Sequence, residues 1–133
     1  MTNKYLCPKC RSALMVGKNV VISAKARDGA EGLITLSPTI GDYNITFPTT
    51  LNQSAGELLS LFCPVCHQDL ASAKHINLAM LIAIDENKQE FELFFSRIVG
   101  EKSTVKMIGE YAELYGEDVY KYQDHFSNPR QMF

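Results

Sequence analysis

Apolar and polar residues alternate with period two through much of the chain, the signature of half-buried strands. Val20-Val21-Ile22-Ser23-Ala24-Lys25-Ala26 is rich in β-branched residues and predicts a strand. The polar stretch Arg27 to Gly32 then supplies a hairpin loop. Leu33-Ile34-Thr35-Leu36-Ser37 returns as a second strand, with Leu33 and Thr35 on one face and Ile34 and Leu36 on the other. Pro38 and Gly41 interrupt, and Tyr43-Asn44-Ile45-Thr46-Phe47 resumes the alternation, which predicts Tyr43, Ile45 and Phe47 on a buried face. Pro48 to Ser54 reads as loop, and Glu57 to Phe62 as a strand, although Ser54-Ala55-Gly56-Glu57 also resembles a short helical start.

Ala79 to Asp85 and Gln89 to Ile98 flank Glu86-Asn87-Lys88 and predict a hairpin. In its return limb Phe91, Leu93 and Phe95 share one face and Phe94 the other. Thr104 to Ile108 adds a short strand. From Glu110 to His125 the period changes: Tyr111, Leu114, Tyr115, Val119 and Tyr122 fall near helical spacing, with Gly116 able to break the helix in two. Glu110, Glu113, Glu117 and Asp118 then form its wet face, Tyr111, Tyr115, Tyr120 and Tyr122 pack into the core or, as the alternative, make a recognition surface, and Ser127 to Phe133 is a frayed tail. The expected class is α+β with β dominant. At 133 residues it is one domain: a cysteine-bearing β segment over 5–72, a hairpin and C-terminal helix over 76–126, and a tail over 127–133.

Composition changes this picture little. Apolar residues make up 46% and charged residues 21%, and the net charge of −2 gives no global field for nucleic acid or an anionic membrane. Met1 to Leu6 is too short and polar for a secretory signal, and the apolar run Leu78 to Ile84 falls far short of the roughly twenty residues that span a bilayer. The expected location is the cytoplasm, where thiolate–metal sites are common and disulfides are not.

The four cysteines change the picture most. They form two hooks of the same C-P-x-C form, Cys7-Pro8-Lys9-Cys10 and Cys63-Pro64-Val65-Cys66. Such a hook turns two sulfurs toward one cation, with proline pre-setting φ for the turn. Cys7, Cys10, Cys63 and Cys66 together make the ligand set of a tetrahedral ion, most often Zn²⁺. A site with four protein ligands has no open position and is structural. The hooks stand about fifty residues apart, against roughly 15–20 in standard ribbons. The intervening residues therefore read as a β excursion that leaves the metal and returns to it through Leu61 and Phe62.

Leu6-Cys7-Pro8-Lys9-Cys10 and Phe62-Cys63-Pro64-Val65-Cys66 match the rubredoxin-like knuckle pattern, and residues 5–72 resemble a zinc ribbon. Gly32 to Pro38 and Gly41-Asp42-Tyr43 resemble segments of small bacterial zinc-ribbon proteins, mostly uncharacterised. The resemblance implies four cysteine ligands and zinc, and no common activity. Many knuckles carry glycine after the second cysteine, where the turn favours positive φ; here Arg11 and His67 stand instead. The same ligands accept iron, which would make an electron carrier. Paired thiols also serve dithiol redox chemistry, and Cys63 to His67 formally matches the haem-attachment pattern C-x-x-C-H. His67, His75 and His125 are far apart in sequence and predict no second metal site, and Ser23, Ser37 and Ser60 lack a nucleophile context. The expected function is a non-enzymatic, zinc-stabilised interaction module with a protein partner, the runner-up an iron or dithiol redox protein.

Overall fold

Leu78 to Ile84 is apolar at every position because the strand it forms packs against a core on each face. The computed structural model describes residues 3–51 and 53–132. The expectations for Met1 and Thr2, for the loop at Asn52 and for the tail end at Phe133 lie outside the described residues.

Strands β1 (Lys4–Leu6), β2 (Met15–Val16), β3 (Asn19–Lys25), β4 (Glu31–Leu36), β5 (Ile45–Thr46) and β6 (Ser60–Phe62) precede the hairpin. The hairpin is β7 (Leu78–Ile84) and β8 (Glu90–Ser96), followed by β9 (Thr104–Ile108), β10 (Tyr111–Tyr115), a 3₁₀ helix (Val119–His125) and β11 (Pro129–Gln131). Among the described residues the strands form two sheets. One runs β1-β7-β8-β9-β10-β11; the other runs β2-β3-β4-β5, with β6 also paired to β3. The ladders are antiparallel except β10–β11, which is parallel.

The six-stranded sheet is the middle layer. On one face Tyr5, Leu81, Ala83, Phe91 and Leu93 pack against Val20, Ile22, Ala24, Ile34 and Leu61 of the smaller sheet. On the other face Leu78, Phe94, Val105 and Leu114 pack against Val119 and Tyr122 of the 3₁₀ helix and Phe126 beyond it. Phe91 and Leu93 thus face one core and Phe94 the other, as the alternation predicts; Phe94 meets Phe126 edge-on with ring centroids 4.9 Å apart. The hairpin turn is held by the Asp85 carboxylate, which accepts from the N–H groups of Asn87 and Gln89, both at 2.9 Å, while Lys88 takes φ 64°.

Four expectations are corrected. The helix over Glu110 to His125 is strand in its first part: Tyr111–Tyr115 pairs with β9, and only Val119–His125 is helical, of 3₁₀ type. Ala112 and Leu114 alternate inward along β10, so the apparent helical spacing was a strand period joined to a short 3₁₀ stretch. The tyrosines divide accordingly, with Tyr122 buried and Tyr111 and Tyr120 exposed, and the acidic residues line no helix face: Glu113 accepts from Tyr115 in β10, and Asp118 from the Lys102 N–H. The tail forms β11, docked on β10 through Ala112↔Pro129, Glu113↔Arg130 and Leu114↔Gln131. Of Tyr43 to Phe47 only Ile45 and Thr46 are strand, and Ile45 is exposed while Tyr43 and Phe47 are half-buried. A two-residue edge strand has too little pairing to hold a face inward. The Ser54–Glu57 stretch is a turn, bridged by the Glu57 N–H to the Ser54 carbonyl at 3.2 Å.

Gly116 shows why the chain turns where it does. Its φ is +99°, and a methyl group there would collide with the Lys102 carbonyl and the Tyr43 hydroxyl.

Candidate metal centre

Each hook continues a strand. Cys7 follows β1 at the edge of the six-stranded sheet, and Cys63 follows β6 in the smaller one. The fold brings the two strand ends together, and the four Sγ atoms lie within 4.8 Å of one another. Cys7 and Cys63 are fully buried in the core between the sheets; Cys66 is half-buried and Cys10 exposed.

The two hooks are the same structure made twice. In the first, the N–H groups of Lys9 and Cys10 point to Cys7 Sγ at 3.3 and 3.5 Å. In the second, those of Val65 and Cys66 point to Cys63 Sγ, both at 3.3 Å. Arg11 N–H donates to the Cys7 carbonyl as His67 N–H does to Cys63, each at 2.9 Å, and Cys7 N–H donates to Ser12 as Cys63 N–H does to Gln68, each at 3.0 Å. The equivalence extends past the hooks. Leu14 N–H donates to Tyr5 and Leu70 N–H to Leu61, both at 2.9 Å, and bridges join Leu6 to Ala13 and Phe62 to Asp69. The duplicated unit thus runs from Tyr5 to Leu14 and from Leu61 to Leu70, well beyond the C-P-x-C match visible in sequence. Arg11 and His67 adopt φ 63° and 65°, so the knuckle turn is made without its usual glycine.

The donor set fits a tetrahedral ion. Four sulfurs about 2.3 Å from a central Zn²⁺ stand about 3.8 Å from one another. The closest pairs across the hooks, Cys7 with Cys66 and Cys10 with Cys63, are each 3.7 Å apart. The Cys10 thiol is pulled down to about 6, chiefly by the Ser12 hydroxyl and N–H, and Cys66 is pushed up to about 11: the Gln68 N–H works against that rise, and burial with the three neighbouring sulfurs overcomes it. Four sulfurs so close cannot all ionise alone, and a dication removes the repulsion by neutralising it. The four cysteines can therefore hold a metal ion.

Searched against protein-family models, curated proteins and solved structures, the chain matches none. Among the described residues no helix is long and apolar enough to cross a membrane.

The histidines are placed differently from one another. His67 is the exposed knuckle exit. His75 and His125, remote in sequence, meet edge-on with centroids 4.8 Å apart, and His75 also meets Tyr122 at 4.9 Å. His75 Nδ1 accepts from the Asn77 N–H at 3.0 Å. No sequence signal foretold this contact, because it depends on where β7 and the 3₁₀ helix pack.

Proposed function

We propose that Cys7, Cys10, Cys63 and Cys66 bind one structural Zn²⁺, and that the protein is a non-enzymatic accessory module of zinc-ribbon type that presents a surface to a protein partner. The observation that carries this reading is the convergence of two equivalent knuckles on one point, with sulfur separations that suit tetrahedral coordination. Four protein ligands leave no coordination position for a substrate, which supports a structural role for the ion. Its place supports the same reading: it would join the end of β1 to the end of β6 and so tie one sheet to the other.

Residues 5–72 form the ribbon with its inserted strands in this reading, and the rest of the single domain packs on it. Near the knuckles, Val16 and Val65 are 67% and 57% exposed, apolar contacts of the kind a protein partner covers. A net charge of −2 favours that over nucleic acid, and a thiolate site fits a cytoplasmic location.

The visible spectrum and redox behaviour of the natively purified full chain test the metal assignment. A colourless protein with no redox transition is expected. A red, reducible protein would instead make it an iron electron carrier, and reversible disulfide formation without metal would make it a dithiol protein.

A further inference from the structure

Strand β11 closes the free side of the six-stranded sheet, and it does so without burying a side chain: Pro129, Arg130 and Gln131 are all exposed. Its docking therefore rests on the main chain. The parallel register Ala112↔Pro129, Glu113↔Arg130 and Leu114↔Gln131 sets its place on β10. At one end the Ala112 N–H donates to the Asn128 carbonyl at 3.4 Å, and at the other the Met132 N–H donates to the Leu114 carbonyl at 2.7 Å.

Without this cover β10 would be the edge of its sheet, and a bare edge offers a row of N–H and C=O groups on which another strand adds. The strand that fits is the chain's own, and every copy of the chain carries both the edge and the strand. Because recognition is by backbone register, β11 of a second copy makes the same bonds to β10 as β11 of the same copy.

The link that decides between the two is short. Phe126 is buried and meets Phe94 edge-on, so it stays with the core. Only Ser127 and Asn128 separate it from Pro129. Asn128 makes the turn with φ 48°, a left-handed conformation that asparagine tolerates and a β-branched residue does not. Its side-chain N–H also donates to the Glu110 carbonyl at 3.0 Å. With Asn128 extended instead, the chain would leave Phe126 in another direction and carry β11 away from its own β10. Short hinges held in an unfavourable conformation are where copies of a chain exchange elements.

The outer side of β11 limits what can follow. It is three residues long, opens with proline and carries an arginine, all features that blunt an edge. Reciprocal exchange between two copies satisfies both β10 edges and closes on itself, whereas further strand addition meets a blunted edge.

We propose that the β10 edge is a strand-acceptor site whose partner is β11 of a second copy, and that the closed monomer is in equilibrium with a reciprocally exchanged dimer hinged at Asn128. This proposal stands apart from the metal reading and uses none of the cysteines.

The test is sedimentation equilibrium of the full chain and its variants across a wide range of protein concentration. Asn128→Val and Asn128→Gly both delete the side-chain bond to Glu110 and differ in their tolerance of φ 48°. The valine variant is expected to dimerise about a hundredfold more strongly than the glycine variant, about tenfold for each of the two hinges in the dimer. In mixed samples of isotope-labelled and unlabelled Asn128→Val chains, intermolecular NOEs between Gln131 and Leu114 should appear. Adding Met132→Pro, which removes the N–H that reaches Leu114, should weaken the dimer. A valine variant that stays monomeric while its β11 amides exchange freely would show a strand that merely frays, and would overturn the proposal. Equal dimerisation of the valine and glycine variants, a dimer indifferent to Met132→Pro, or open-ended assembly beyond the dimer would each overturn it as well.

Discussion

Replacing Cys10 with serine is the cleanest perturbation of the metal centre, because Cys10 is the exposed ligand and its loss leaves no hole in the core. The bound ion would link Cys10 to Cys63, 53 positions apart, and Cys7 to Cys66, 59 apart. By the chain-entropy relation for cross-links, closing a loop of that length in the unfolded chain stabilises the native state by about 4 kcal/mol. Residual compactness of the unfolded chain lowers this figure. Against a typical total of about 5–15 kcal/mol, the loss is large. At roughly 3–4 °C per kcal/mol for a chain of this size, Tm should fall on the order of 10–15 °C. The assay is thermal or urea unfolding of wild type and Cys10→Ser, each with and without a chelator. The chelator is expected to lower the wild-type midpoint to near that of the variant and to leave the variant almost unchanged. Equal midpoints for wild type and variant, or a chelator that shifts both alike, would refute the reasoning.

The second core should be as sensitive as the first. Phe94→Ala should cost about 3–5 kcal/mol in urea unfolding, and combining it with Phe126→Ala should cost less than the two losses added, because the rings meet edge-on. Gly116→Ala should cost on the order of 2–3 kcal/mol, from φ +99° and from collision with the Lys102 carbonyl; Gly17→Ala, with φ +60° and open space, should cost about 1 kcal/mol. The protein should also lose stability in alkali. Burial raises the pKa of Tyr5 and Tyr43, and pushes Tyr115 and Tyr122 to about 12, the last two aided by the carboxylates of Glu113 and Glu101. Above pH 10 the unfolded chain sheds these protons before the native one does, so stability falls as pH rises from about 10 toward 12; the unfolding midpoint across that range reads the slope.

Much of the middle of the molecule was legible because burial imposes a pattern there. β7 and β8 carry their two faces openly in sequence, Phe91 and Leu93 against Phe94, since each face meets a different core. The hooks were equally plain, for no other cysteines compete. What stayed hidden depends on backbone pairing or on partners distant in sequence. β11 is exposed at every position and docks by its main chain alone, helped by Asn128 at φ 48° donating to the Glu110 carbonyl at 3.0 Å. No apolar period marks such a strand. The misplaced helix had a usable signal: Gly109, at φ 58°, opens a two-residue turn between Ile108 and Tyr111, which pair across it. The extension of each knuckle to Leu14 and Leu70 was hidden because the residues between, Arg11-Ser12-Ala13 and His67-Gln68-Asp69, share no chemistry and repeat only in backbone bonds.

Thiol protection, read together with native mass, tests the central claim most directly. The natively purified full chain should carry one zinc ion, and its four cysteines, Cys10 included despite its exposure, should resist alkylation until a chelator is added. Chelation alone should lower the native mass by one zinc, and all four cysteines should then react, each adding one alkyl group. A chain that carries no metal, or whose Cys10 and Cys66 alkylate freely while zinc remains bound, would contradict the shared four-cysteine site.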